Sequence, residues 1–359
     1  MNDLLQAALV GLARRIACME ALLGRARSFE RLRQKADDIA AFLQAAECRA
    51  QSALALLPAP QDLLDDLARQ YNGIAREVYL VEQLVVGPLS RFSSEDEKLS
   101  SLSERICKEV GIADIPIVLA ASSQYYSAIP EYGLIFTPPI DSQTLLNLPD
   151  LYHELAHHLD GRGRVLVGPR FESALESYVD RAEDEIARLS RPIDLRDFRH
   201  RIAFWQDWRL EVASDAFATL LVGPAYAWAN LHLMLRVPSI FRYSESHPAD
   251  AARMDFILRL LRSNTHFNSD VESIERKWRA YQDLSHPAKP DLYDLLHPSE
   301  LFTAVLDDVR AAIESRDLRV APLAPGTVAA LLNEAWRKLL ERSPDYAAWE
   351  AEAVASTFA

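Results

Sequence analysis

The sequence predicts a mainly α fold of the α+β kind: an N-terminal helical bundle, then a core holding one small β-sheet, then C-terminal helices. Glycine is scarce, 11 in 359 residues, so helix-breaking positions and long flexible linkers are few. Apolar residues recur at spacings of three and four along most of the chain. Only two short runs, IPIVLA at 115–120 and EYGLIFT at 131–137, combine β-rich residues with flanking Pro and Gly.

Leu5, Leu9, Leu12, Ile16, Met19 and Leu23 form a heptad seam along a first helix over 3–23. Phe29, Leu32, Ala36, Ile39, Leu43 and Ala46 continue the pattern in a second helix. Leu64, Leu67, Tyr71, Ile74, Val78 and Val81 carry it into a third, after Pro58 and Pro60. Short joints make these antiparallel neighbours in a coiled-coil-like bundle over 1–92. Such a bundle serves either as a stabilising layer or as an arm for self-association or a protein partner.

The acidic stretch Ser93 to Glu97 suits the positive end of a helix dipole, which places a boundary near residue 92 and opens a helix to about Val110. The core then spans 93–264, with its two strands before residue 150. Helices are expected over 144–159, 170–189, 195–222, 225–235 and 248–263. Three more, over 269–284, 298–314 and 326–342, form a C-terminal extension over 265–359 packed on that core.

Charge narrows the partners. Against 39 Lys and Arg stand 52 Asp and Glu, a net charge of -13, which disfavours phosphate backbones and anionic lipid, so no nucleic-acid partner is expected. Residues 216–235 carry no charged side chain and have the length of a bilayer crossing. Gly223 and Pro224 interrupt them and Thr219, Asn230 and His232 lie inside, so they read as two buried core helices rather than a membrane span. Cys18, Cys48 and Cys107 are odd in number and far apart, which argues against a disulfide framework or a thiolate metal site. No secretory signal is visible, since Asp3 comes early and the apolar residues repeat in heptads, so a reducing, cytoplasmic compartment is expected.

The chemistry concentrates in His153-Glu154-Leu155-Ala156-His157. Residues i and i+4 of a helix lie on one face, about 6 Å apart along the axis, so both imidazoles reach one ion. Neutral imidazole suits Zn²⁺, and Glu154 falls beside the ion, where it can take a proton from water. His158 points elsewhere and reads as an ordinary polar or capping residue. Two histidines need a third ligand. Glu211 and Asp215, again i and i+4, run into the uncharged segment and so face buried surroundings. Glu211 supplies a zinc carboxylate, and Asp215 accepts the free ring N–H of a ligand histidine. The alternative is a salt-bridged acid pair with Arg181, Arg201 or Arg209.

HELAH at 153–157 followed by EVASD at 211–215 resembles the gluzincin class of zinc metallopeptidases, whose signatures are HExxH and ExxxD. The stretch from Ser246 through His247-Pro248 to Arg253 and Met254 is similar to the histidine-proline segment, with an arginine six residues on, of the HtpX-like and CAAX-prenyl-protease-like peptidases. SAIPEYGLIFTPP, ahead of the HExxH helix, looks like that family's strand. The resemblance covers about residues 115–262 and points to the soluble relatives, since the chain has no clean spanning segment.

It implies a zincin-like core holding one Zn²⁺ on His153, His157 and Glu211, with Asp215 behind a ligand histidine and Glu154 as general base. It further implies His247 and Arg253 as catalytic residues, the first donating to the oxyanion and the second orienting that loop or the substrate. His-Pro recurs at His286-Pro287 and His297-Pro298 without the arginine, where helix capping suffices. The expected activity is peptide-bond hydrolysis on a protein or peptide laid as a strand against Tyr132 to Thr137. Tyr125 and Tyr126 read as packing. The competing expectation is a non-catalytic, zinc-stabilised scaffold that recruits partners through its N-terminal bundle.

Overall fold

Helix α1 (Asn2–Ala26) buries Leu5, Leu9, Leu12, Ile16, Met19 and Leu23, the whole of its heptad seam. Helix α2 (Arg33–Ala55) buries Ala36, Ile39, Leu43 and Ala46 in the same way, and α3 (Gln61–Val81) buries Leu64, Leu67, Ile74, Val78 and Val81. Tyr71 stays half-buried at the edge of its seam. The three helices pack on one another, and each fully buried Leu or Ile contributes about 1.5–3 kcal/mol. A π-helical turn, Glu82–Val86, leads into the short α4 (Gly87–Ser90). Asn2 closes the far end, donating to the Ala59 carbonyl at 3.2 Å and accepting from its N–H at 2.9 Å.

The computed structural model describes residues 1–120, 125–163, 166–188, 193–235, 239–284, 289–320 and 324–357. The chain divides into two units, Met1–Glu97 and Lys98–Ala359. Among the described residues no helix is long and apolar enough to cross a membrane.

Helix α5 (Ser94–Val110) opens on a cap in which Asp96 accepts from the backbone N–H and the hydroxyl of Ser93, both at 2.7 Å. In the second unit, buried Ser100 ties α5 to the first strand, donating to the Val118 carbonyl at 2.9 Å and accepting from the Val118 N–H at 3.0 Å. The sheet has three strands, β1 (Ile117–Ala120), β2 (Ser127–Ile129) and β3 (Leu134–Thr137), in the order β1-β3-β2. β1 runs parallel to β3 with Ile117 opposite Leu134, and β2 runs antiparallel with Ala128 opposite Ile135. β2 was not expected, because Ser-Ala-Ile is too short for an alternating pattern. Its presence corrects the substrate strand: β3 is paired on both sides, so residues 134–137 have no free edge, and the outer strand beside the HExxH helix is β2.

That helix, α6 (Asp150–Gly161), starts six residues later than expected. The residue before a proline is pushed away from helical geometry, and Pro149 therefore delays the start. Then follow α7 (Pro169–Arg188), α8 (Leu195–Ile202) and α9 (Trp205–Val222). The single helix expected over 195–222 is thus broken at Ala203-Phe204, with neither Gly nor Pro at the break. Buried indoles fix the new direction: Trp205 donates to the Leu296 carbonyl at 2.8 Å and Trp208 to the Ser244 carbonyl at 2.9 Å.

Gly223, at φ 73°, turns the chain from α9 into α10 (Pro224–Met234), and a Cβ there would stand 2.9 Å from the Phe267 ring. The remaining helices are α11 (Asp250–Arg262), α12 (Asn268–Leu284), α13 (Tyr293–Leu296), α14 (Ser299–Ser315), α15 (Val328–Leu340) and α16 (Tyr346–Thr357). Two of them, α13 and α16, lie beyond the helices that periodicity marks. α6 and α11 both pack on α9, α14 packs on α7 and α9, and α15 packs on α9 and α10. α6 and α9 therefore sit at the centre of the second unit, and their polar residues are held inside it.

Candidate metal centre

One turn of α6 brings the His153 and His157 rings to a centroid separation of 4.8 Å, with Nε2 to Nε2 at 3.1 Å. Side by side with α6, α9 presents Glu211, whose carboxylate oxygens lie 3.4 Å from His153 Nε2 and 3.3 Å from His157 Nε2. A tetrahedral ion with ligands at about 2.0–2.1 Å has ligand-to-ligand edges of about 3.3–3.4 Å. The three donors thus stand at metal-binding distance from one another.

The far side of His153 decides its tautomer. Tyr226 Oη lies 2.9 Å from His153 Nδ1 and donates its own proton to Asp215 Oδ1 at 2.5 Å. Asp215 Oδ1 is also 3.2 Å from His153 Nδ1. Both neighbours can only accept from that nitrogen, so the ring carries its proton on Nδ1 and turns the Nε2 lone pair towards His157 and Glu211. Two ring nitrogens and a carboxylate crowded this closely call for a positive charge among them, a proton or a metal cation. With no metal between them, burial opposes a charged His153, yet Asp215 and Glu211 outweigh it and push the group up to about 10, so a proton on Nε2 takes the place that a metal cation would hold. Burial would raise Glu211, but the two imidazoles hold it well below the ordinary carboxylate range.

Asp215 is 0 % exposed and accepts two hydrogen bonds from Arg253, Nε to Oδ2 at 2.8 Å and Nη2 to Oδ1 at 2.7 Å. Burial opposes its charge, and Arg253 overcomes that and holds the carboxyl low. The acid pair therefore has a cation, though not one of those weighed from sequence. Arg181 pairs with Glu300, Arg201 with Asp197 and Arg209 with Glu172. Arg253 orients Asp215 through Nε and Nη2, and it also lines the cavity that opens onto the cluster.

Glu154, one residue on from His153, is buried beside the cluster. Burial pushes its carboxyl up, while both imidazoles and the Ala128 backbone draw it partly back. His247 reaches the same place from the loop before α11, with Nε2 3.6 Å from a Glu211 oxygen and its side chain 56 % exposed. That loop is pinned at both ends. Ser244 accepts from the Trp208 indole, and the Ala249 N–H donates to His297 Nε2 at 3.2 Å. His297 stacks on Trp208 at 4.9 Å, so the His297-Pro298 pair clamps the loop instead of joining the site. His286-Pro287 lies outside the described residues. His158, buried on another side of α6, lies 3.2 Å from the Asp114 carbonyl and takes no part.

A cavity of about 440 Å³ opens onto His153, Glu154, Glu211 and His247. Tyr125, Tyr126, Asp150 and Tyr226 also line it, and none of these four was expected at the site. Tyr226 had no sequence signal, because a tyrosine in an uncharged helix reads as packing. Asp150 had one: it stands three residues before His153, on the same helical face. Comparison with protein families, curated proteins and solved structures finds no match to this chain.

Proposed function

We propose that this chain is a zinc-dependent metalloendopeptidase, a soluble peptidase of the gluzincin kind built on a zincin-like core. The observation that carries this reading is the approach of His153, His157 and Glu211 to tetrahedral edge distances, with buried Glu154 beside them and a cavity in front. Two imidazoles and one carboxylate are the donor set of a catalytic zinc, one position short of a full tetrahedron. One Zn²⁺ per chain would be held there, and when bound it supplies a Lewis acid that polarises a peptide carbonyl and acidifies a water.

The chain's own groups do the rest. Glu154, its basicity raised by burial, takes a proton from water and delivers it to the leaving amine. Asp215 and Tyr226 keep the His153 proton on Nδ1, and Arg253 keeps Asp215 ionised and in place. His247, paired through Nδ1 with Ser246 Oγ at 2.8 Å, offers its Nε2 proton to the carbonyl oxygen as that oxygen gains negative charge. The substrate lies as an added strand on β2, whose Ala128 backbone stands against Glu154.

The test is a survey of new peptide termini after a cell-derived peptide library meets the zinc-loaded protein. Cleavage by the native chain and none by Glu154→Gln supports the reading; a fully loaded native chain that generates no new termini overturns it.

A further inference from the structure

The cavity does not stop at the metal-binding cluster. It continues along α6 and α10 to Asp150, Asp141 and Asn230, with Ile140 and Leu233 on its walls. Asp150 is 7 % exposed, and its Oδ2 has no hydrogen-bond partner among the described residues. Across the cavity Asn230, 5 % exposed, has an unpartnered Nδ2. Asn147 donates to Asp141 at 3.0 Å while its own carbonyl oxygen meets no donor. Buried polar atoms are nearly always satisfied, so two open acceptors, Asp150 Oδ2 and the Asn147 carbonyl oxygen, with one open donor, Asn230 Nδ2, around one cavity mark a place that a ligand completes.

The two open acceptors call for a donor, Asn230 Nδ2 is left to a carbonyl of the same ligand, and the sign of the donor's charge follows from the wall. Asp150 and Asp141 are acidic, and the nearest guanidinium, Arg253, is committed to Asp215. Burial pushes the Asp150 carboxyl up to about 7, and a cation close to it draws it back towards the ionised form. The shape adds a second condition. Ile140, 66 % exposed, and half-buried Leu233 form an apolar mouth, whereas Asp141 and Asp150 are buried within. Apolar at the mouth and anionic at the base is the complement of an aliphatic stem that ends in a cation.

We infer that this end of the cavity binds a basic side chain, lysine or arginine, of the substrate peptide, with Asp150 and Asp141 holding its charge. The word substrate rests on the peptidase reading; the binding itself does not. Fixing a basic side chain there sets which peptide carbonyl stands before His153 and Glu154, and so makes Asp150 a specificity-determining residue.

The experiment therefore measures binding rather than cleavage, on the full zinc-loaded chain, with Nα-acetyl-argininamide, Nα-acetyl-lysinamide and the neutral Nα-acetyl-norleucinamide titrated by NMR. One or both basic amides should bind about tenfold or more tightly than the norleucine amide, as one charge-assisted hydrogen-bonded contact implies. Asp150→Asn should abolish the difference; if circular dichroism shows that variant unfolded, Asp141→Asn takes its place, and the native comparison stands by itself. Equal binding of all three amides, or a preference unchanged in the folded variant, overturns the inference. Selective binding with no peptide ever cleaved would remove the peptidase reading and leave the pocket.

Discussion

Arg253 and Asp215, 38 residues apart in sequence, meet in a two-pronged ion pair at 2.8 and 2.7 Å inside the protein, one side chain away from His153. A buried pair of this kind adds little net stability over an apolar pair, yet it is costly to halve. Arg253→Ala leaves an uncompensated carboxylate in the core and should cost about 3–5 kcal/mol in urea unfolding. The double variant Arg253→Met with Asp215→Leu should recover part of that loss. A single-variant loss below about 1 kcal/mol, the range of an exposed pair, would contradict the buried geometry.

Asp215→Ala removes one of the two acceptors behind His153 Nδ1 and should weaken zinc about 10–100-fold in a chelator competition. Tyr226→Phe leaves Asp215 at 3.2 Å from that nitrogen, so its effect should be the smaller of the two. Equal affinity in Asp215→Ala and the native chain would mean that the carboxylate supports the core and not the metal site.

Glu154 offers no atom to the three-donor cluster, so Glu154→Gln should keep about one zinc per chain by elemental analysis. Loss of its proton transfer should lower kcat on any cleaved peptide about 10²–10⁴-fold. His153→Ala and His157→Ala should each lose the metal itself. A Glu154→Gln variant as active as the native chain would exclude it as the base.

Periodic features were legible in the sequence, because periodicity reports burial directly. All six seam residues from Leu5 to Leu23 are buried, and i, i+4 spacing put His153 with His157 and Glu211 with Asp215 before any fold was known. What escaped depends on contacts between distant segments. Sequence offers Arg181, Arg201 and Arg209 as partners for the acid pair, whereas the cation that reaches Asp215 stands on α11. The break between α8 and α9 has no Gly or Pro, and it follows from where the Trp205 and Trp208 indoles find their carbonyls. β2 is three residues long and takes its identity from β3 beside it. Tyr226 differs from a packing tyrosine only through the two groups its hydroxyl meets.

Acid should loosen the loop that carries His247, through a histidine outside the site. His297 donates from Nδ1 to the Tyr293 carbonyl at 2.8 Å and accepts the Ala249 N–H on Nε2 at 3.2 Å, an arrangement that only the neutral ring can make. Burial among Trp208, Tyr243 and Tyr293 lowers its pKa from 6.5 to about 4. Between those two values the unfolded chain binds a proton that the native chain refuses, so stability falls as pH falls through that window. The contribution is complete above the unfolded value and lost below the folded one. Over the whole window the shift is worth about 3 kcal/mol, of which about 2 kcal/mol is gone by pH ~5. His297→Gln keeps an amide near Ala249 but does not titrate. Urea unfolding at pH ~7.5 and ~5 should therefore show a loss about 2 kcal/mol larger in the native chain than in the variant. Parallel losses in the two proteins would mean that some other group carries the acid sensitivity.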